Sequence, residues 1–450
     1  MPGNGSNKRK KEYGCNKAKK EDACEMKKYI KKVLIIIYRI LNRILPKSRK
    51  IAVFSSSNGK SIGGNPRAVF EYAVTDPGNV RLFVWFVTDK LLKESPGVLN
   101  ELKRAGENKS KVKIVRYGHP AYYLYMARAG LWVFDSRQEP YITKGRSVKY
   151  LQTWHGTPLK KLGLDIEGMN MAGEKGDIET YREAFRRESA QWDYLIAQND
   201  FSAETFRRCF AYNGKILKTG YPRNDELIRS GGEPDNSKLS KDDKINGNSG
   251  QNGAATAGDR DRFTILYAPT WRDDRYIGGG WYAYSSPLDF EKLEKMLGNR
   301  YRVLVKPHYL VRMRKGDIPE SVIKSGFVEI CDGSEEINAL YLKADAMITD
   351  YSSTMFDYSL LDRPMIFFDY DIKEYADVLR GFYFDFEKEA PGPICLTTEA
   401  VAEGVKDSRE LAWTELYGGR IKAFRQKYNM YDDGRAAQNV WRAVSTVTRK

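Results

Sequence analysis

Histidine is nearly missing from this chain: His119, His155 and His308 are all it has in 450 residues. Cysteine is almost as scarce. Cys15, Cys24, Cys209, Cys331 and Cys395 are odd in number, scattered, and form no CxxC pair. That pattern argues against a disulfide framework or a zinc site and fits a reducing cytosol. Long apolar runs are also absent. Near the N-terminus the longest is six residues, Val33–Tyr38, far short of the ~20 that a spanning helix needs. The first twenty residues are polar and basic, without the apolar core of a secretory leader. No G-x-G-x-x-G, Walker A, H-E-x-x-H or G-x-S-x-G stands where it would matter. The glycines of "SIGGNPR" lack dinucleotide spacing, and "DYD" at Asp369–Asp371 is the nearest thing to a metal cluster. No obligatory metal or other cofactor is expected.

Apolar side chains make up 41% of the chain and aromatics 12%, enough for real cores. At 450 residues the length suggests roughly two to three domains. The formal net charge is +16 and the pI about 9.3, so an anionic partner is favoured: nucleic acid, an anionic membrane or a phosphorylated substrate.

Residues 27–50 hold nine Lys/Arg and no Asp or Glu. Read as a helix, Ile30, Val33, Leu34, Ile37, Leu41 and Ile44 share one face, with Lys28, Lys31, Lys32, Arg39 and Arg43 around it. Either this is a basic amphipathic helix in a membrane interface, with Ile36 and Ile37 among its apolar contacts, or it packs on the protein's own core.

From Lys50 the pattern turns α/β. "KIAVFSSSNG", "RLFVWFVTD", "KVKIVRYG", "AGLWVFDS", "SVKYLQTWHG", "WDYLIAQND" and "KILKTGYPRND" read as strands, with helical stretches such as "NPRAVFEYAV" and "PAYYLYMARA" between. A second set follows: "FTILYAPTWRDD", "RYRVLVKPH", "GFVEIC", "DAMITDYSS" and "PMIFFDYD". Short apolar strands alternating with helices imply doubly wound parallel sheets. Between the sets, 230–260 has no aromatic and too little apolar surface to order itself. The expected division is a basic tail and helix at 1–50, a Rossmann-like domain at 51–229, a linker at 230–260, a second Rossmann-like domain at 261–415, and C-terminal helices at 416–450. The two α/β domains would face a cleft.

In such sheets ligands bind beyond the carboxyl ends of the strands. "AMITD" runs directly into "YSST" and a helix, so Ser352, Ser353 and Thr354 offer hydroxyls and free N–H groups at a helix start. That suits phosphate, although one serine as a plain cap would explain it too. "VLVKPH" ends in Lys306 and His308, two donors for a phosphate or two exposed polar residues. "LYAPTWRDD" ends in Thr270, Trp271 and Arg272: a phosphate fork and a stacking face, or a packing tryptophan. "TWHGTPLKK" puts His155 on a tight turn with Lys160 and Lys161 beyond. An imidazole there can take a proton from an alcohol, though a lone histidine beside apolar residues is ordinarily structural. His119, before a proline at a helix start, reads as structural.

Five motifs in order, "QTWHGTPLKKLG", "TGYPRND", "ILYAPTWRDD", "LVKPH" and "ITDYSSTMFDYSLLDRPMIFFDYD", resemble the CDP-glycerol glycerophosphotransferase family of teichoic acid primases and polymerases. The likeness runs from about Ser147 to about Pro393, broken by the linker. It implies a GT-B-like pair of Rossmann domains, attachment to the inner membrane face, and transfer of glycerol phosphate from CDP-glycerol to a hydroxyl of a lipid-linked acceptor, releasing CMP. It further implies His155 as the base and His308 at the donor diphosphate. Lys306, Thr270, Trp271, Arg272, Asp350, Ser352, Ser353 and Thr354 fall on the donor side, and Gly156, Thr157, Lys160 and Lys161 on the acceptor side. The 230–260 insert departs from the pattern. The large extra N-terminal region of some polymerases is not visible, so the resemblance leaves primase and polymerase both open. A CDP-ribitol donor and a GT-B glycosyltransferase using a nucleotide sugar are the alternatives. A homo-oligomer is left open. Nucleic acid is not expected as a partner, because the excess charge gathers before Lys50 and no nucleic-acid motif appears.

Overall fold

The protein is described by a computed structural model over residues 29–105, 110–167, 177–230, 262–270, 272, 275–278, 281–284, 286–308, 310–331, 335–372, 381–410 and 413–445. Lys28, Trp271, Cys15, Cys24 and all of the expected linker except Ser230 lie outside the described residues. Contacts divide the chain into two compact units. The first is Met1–Ile62, Val74–Tyr150 and Val447–Lys450; the second is Gly63–Ala73 and Leu151–Thr446.

In the first unit, β1 (Ser48–Ser55), β2 (Leu82–Val87), β3 (Lys111–Arg116) and β4 (Ala129–Phe134) are parallel in the order β3-β2-β1-β4. β4, "AGLWVF", is buried at every position, as a parallel strand covered on both faces must be. A helix spans 29–44. It docks through Tyr38, fully buried, whose hydroxyl donates to the Thr143 carbonyl at 2.6 Å, and through Asn42, which donates to the same oxygen at 2.8 Å. Leu34 and Leu41, expected on the free apolar face, are half-buried instead. The exposed apolar residues are Tyr29, Ile30, Val33, Ile36, Ile37, Ile40 and Ile44. At 100° per residue they form one continuous arc, flanked by the exposed Lys32, Arg39 and Arg43.

In the second unit, β5 (Lys149–Gln152), β6 (Tyr194–Ala197) and β7 (Lys215–Lys218) run parallel side by side from Leu151 onward. The six-stranded sheet is built from β8 (Phe263–Tyr267), β11 (Tyr301–Val305), β13 (Val328–Ile330), β14 (Ala346–Thr349), β15 (Met365–Phe368) and β16 (Ile394–Cys395), all parallel, in the order β13-β11-β8-β14-β15-β16. A small sheet of β9 (Tyr276–Gly278), β10 (Trp281–Ala283) and β12 (Val311–Arg312), with order β12-β10-β9, was not foreseen.

Numbered within itself, the six-stranded sheet has the doubly wound order 3-2-1-4-5-6. Its direction of winding reverses between β8 and β14. The loops leaving those strands lie at the switch point of the sheet's carboxyl edge, the crevice position at which ligands bind in this architecture. The loop after β8 carries Thr270 and Arg272, and the loop after β14 carries Asp350 to Thr354.

Candidate active site

Two loops of the crevice are locked from below. Arg272 is buried, and its Nε and Nη2 grip both oxygens of Asp371 at 2.8 and 3.0 Å. Its Nη1 donates to Asp350 at 2.8 Å and to the Thr270 carbonyl at 3.0 Å. The rings of Tyr351 and Tyr370 lie 5.3 and 5.2 Å from the guanidinium. The other Asp350 oxygen takes the Thr270 N–H at 2.9 Å. Arg272 and Asp350, both expected to face the donor, thus tie together the loops after β8, β14 and β15. Asp369, beside them, is fully buried and neither carboxyl oxygen has a hydrogen-bond partner. Burial, then the charge of Asp350, pushes it up to about 9, so it is protonated at neutral pH.

The serine-rich loop is free to face a ligand. The helix it begins is short, Thr354–Tyr358 followed by a 3-10 turn at Ser359–Leu361. It cannot carry the dipole of a long helix; its N–H groups and hydroxyls are what it can offer an anion. Ser353 occupies the cap position without making a side-chain capping bond, and Ser352 Oγ accepts the Thr354 N–H at 3.4 Å. Lys306, half-buried after β11, donates to the Glu335 carbonyl at 3.1 Å. Thr270 Oγ1 is buried without a partner.

His308 follows. The Leu310 N–H donates to its Nδ1 at 3.3 Å, so the neutral ring carries its proton on Nε2. Its surface is half-buried. Desolvation pushes its pKa down to about 3, with Lys160 and His155 adding to the effect. A neutral Nε2–H is a fixed donor over the whole working pH range.

His155 sits on the turn after β5. Trp154 adopts φ +52°, a left-handed conformation that costs a non-glycine residue about 1–3 kcal/mol. Surroundings hold it there. Its N–H donates to Gln152 Oε1 at 3.0 Å, and its ring packs at 4.6 Å against Phe210 on one side and His155 on the other. The result turns His155 outward, exposed, from an otherwise buried segment. Gly156 lies so close to the serine loop that an added Cβ would sit 3.2 Å from Ser353 Oγ. The second unit thus brings His155, Ser353, His308 and Lys160 into one neighbourhood.

Three expected acceptor-side residues behave differently from one another. Thr157 is buried and bonds inward, to Gln198 at 2.6 Å and Asn199 at 3.2 Å. Lys161 pairs with Glu167 at 2.5 Å. Lys160 bridges to Phe382 through the backbone. No group of three His, Cys, Asp or Glu that could hold a metal occurs among the described residues.

Comparison with known proteins decides the family. The profile of the CDP-Glycerol:Poly(glycerophosphate) glycerophosphotransferase family matches residues 37–446. The chain belongs to that family. It is 35% identical to the teichoic acid glycerol-phosphate transferase of Staphylococcus aureus, over 93% of this chain and 98% of that one. To the teichoic acid poly(glycerol phosphate) polymerase of Bacillus subtilis it is 38% identical over 90% of its length, and there it spans about half, 49%, of the relative. A solved structure of the wall teichoic acid polymerase TagF superposes with a TM-score of 0.76 at 29% identity, covering 95% of this chain and 97% of the other. The fold is therefore GT-B-like, with Rossmann-like parallel sheets as expected.

Sequence patterns did not single out Asn65, Arg223 and Asp357. Arg223 Nη1 donates to the His155 carbonyl at 2.8 Å and its Nη2 to Asp357 at 2.5 Å. The "TGYPRND" and "TMFD" motifs hold Arg223 and Asp357, and Asn65 opens "NPRAVFEYAV", but nothing in one sequence shows that the three meet.

Proposed function

We propose that this chain transfers glycerol phosphate from CDP-glycerol to a hydroxyl of a polyol-phosphate or lipid-linked acceptor and releases CMP, as its family membership supports. The acceptor side belongs to 51–229 and the donor side to 261–415. The donor diphosphate lies at the crevice between the loops after β8 and β14. The hydroxyls of Ser352 and Ser353 hold it, and Lys306 supplies positive charge. His308, neutral, donates its Nε2–H to a diphosphate oxygen. His155 removes the acceptor's proton while the acceptor oxygen attacks the glycerol-bearing phosphorus in line. The bond from that phosphorus to the bridging oxygen breaks, and CMP leaves with the electron pair. Arg272 and Asp350 hold the loops rather than the ligand. The observation that carries this reading is the packing of the His155–Gly156 turn directly against Ser353.

The exposed apolar arc of helix 29–44, with Lys31, Lys32, Arg39 and Arg43 around it, rests in the interface of an anionic membrane, on the cytoplasmic side where nucleotide-activated donors are made. Among the described residues no helix is long and apolar enough to cross one.

The test of the reaction is direct: incubate the protein with a lipid-linked acceptor and CDP-glycerol, CDP-ribitol or UDP-sugars, and identify the product by mass spectrometry. CMP release with a glycerol-phosphate adduct is expected. Turnover of a UDP-sugar alone would overturn the reading.

A further inference from the structure

A strained turn holds its shape only when something over-determines it. The turn at Trp154–His155 is held by Asn65 and Arg223, and through Arg223 by Asp357, from three distant segments. Asn65, 1% exposed in the first turn of the helix Gly64–Thr75, spans two consecutive carbonyls with one amide: Thr153 at 3.3 Å and Trp154 at 3.2 Å. Its own oxygen accepts the Arg223 N–H at 3.2 Å. Arg223 passes the constraint on: one Nη to the His155 carbonyl, the other to Asp357. Asp357 is 3% exposed, and its second oxygen accepts from Asn224 at 3.0 Å. The Arg223 Nε is buried and unpaired, so the guanidinium is oriented by the two Nη contacts even at the expense of a third. Asn338 fixes the Arg223 carbonyl from the other side at 2.5 Å.

Asp357 lies on the short helix that Ser352 and Ser353 introduce. The chain Asn65–Arg223–Asp357 therefore joins the turn bearing His155 to the loop that faces the diphosphate. We propose that these three side chains are positioning residues: they set the distance and angle between His155 and the phosphorus it serves, and leave donor affinity to the loop itself. The proposal rests on the reading of His155 as the base. A displacement of about 1 Å between base and substrate is enough to cost about 10²-fold in rate.

The experiment measures kcat, KM and the dissociation constant for CDP-glycerol in Arg223→Ala, Asp357→Asn and His155→Ala, each with and without added guanidinium ion. Arg223→Ala is expected to lose about 10²-fold in kcat, with KM and the dissociation constant moving less than about twofold. Guanidinium, filling the vacated space, is expected to restore part of kcat in Arg223→Ala and none in His155→Ala. Adding Arg223→Ala to His155→Ala should cost nothing further. Retained CDP-glycerol binding shows that the variants fold. If Arg223→Ala has a full kcat, if its loss falls on donor binding, or if guanidinium restores nothing, the positioning role is overturned. Should Asp357→Asn keep a full kcat, the Asp357 link is overturned as well. Transfer at the full rate by His155→Ala would instead sink the base reading, so the two failures are distinguishable.

Discussion

Arg223 and Asp357 meet at 2.5 Å although 134 residues separate them in the chain. Through the same guanidinium the contact reaches the His155 carbonyl. One guanidinium therefore joins the turn that carries His155 to the helix that follows the serine loop, and on the proposed reading the reaction geometry is part of the fold.

His308 gives a pH prediction. Its folded pKa, about 3, lies below the unfolded value of 6.5. The unfolded chain thus binds more protons between those limits, and stability falls as pH drops from about 6.5 towards 3. His308→Gln should flatten that part of the stability curve while slowing transfer. The acid limb of kcat/KM should stay where it is, because His308 does not titrate there. An acid limb that vanishes in His308→Gln contradicts a neutral donor role.

Asp369 predicts the opposite slope. Its folded pKa of about 9 exceeds the unfolded 3.8, so the native state holds the extra proton and stability falls as pH rises from about 4 to about 9. Asp369→Asn cannot ionise. Thermal melts from pH 5 to 9 should show a flatter alkaline decline for the variant than for the parent; parallel curves would refute the buried neutral acid.

Arg272 predicts a loss of stability first and of activity second. Its side chain and that of Asp350 are 6% and 4% exposed. Arg272→Ala strands Asp350 and Asp371 at a cost of about 3–5 kcal/mol. Arg272→Lys cannot reproduce the bidentate grip and should recover only part of it. Chemical denaturation measures both. A stable Arg272→Ala with weakened CDP-glycerol binding would return this residue to the ligand.

The N-terminal helix predicts salt-sensitive binding to anionic vesicles. Replacing Lys32, Arg39 and Arg43 with serine should remove about 1 kcal/mol per cation. Changing Ile36 and Ile40 to aspartate should abolish sedimentation with vesicles at any salt. Unchanged sedimentation in both variants would show that the exposed arc serves another purpose.

Much of the fold was legible because parallel strands buried on both faces leave continuous apolar runs. "AMIT" and "MIFF", buried at every position, stand out in the sequence. β9, β10 and β12 did not, since strands of two and three residues, mostly exposed or half-buried, carry no apolar run. In the site, strand ends and their hydroxyl, lysine and histidine side chains were visible. The direction of each side chain was not. Arg272 looked like a phosphate fork because its carboxylate partners lie 78 and 99 residues away. Thr157 looked available because Gln198, which holds it, is 41 residues on. Asn65 opens the helical stretch "NPRAVFEYAV", and the carbonyls its amide meets lie 88 and 89 residues on.

The central claim is that His155 is the base and the crevice loops bind the donor. The most direct measurement compares His155→Ala with the parent protein in CDP-glycerol binding by calorimetry and in transfer to a lipid-linked acceptor. The account predicts undiminished binding with transfer reduced by at least about 10²-fold. Transfer at the parent rate, or loss of donor binding together with transfer, would contradict it.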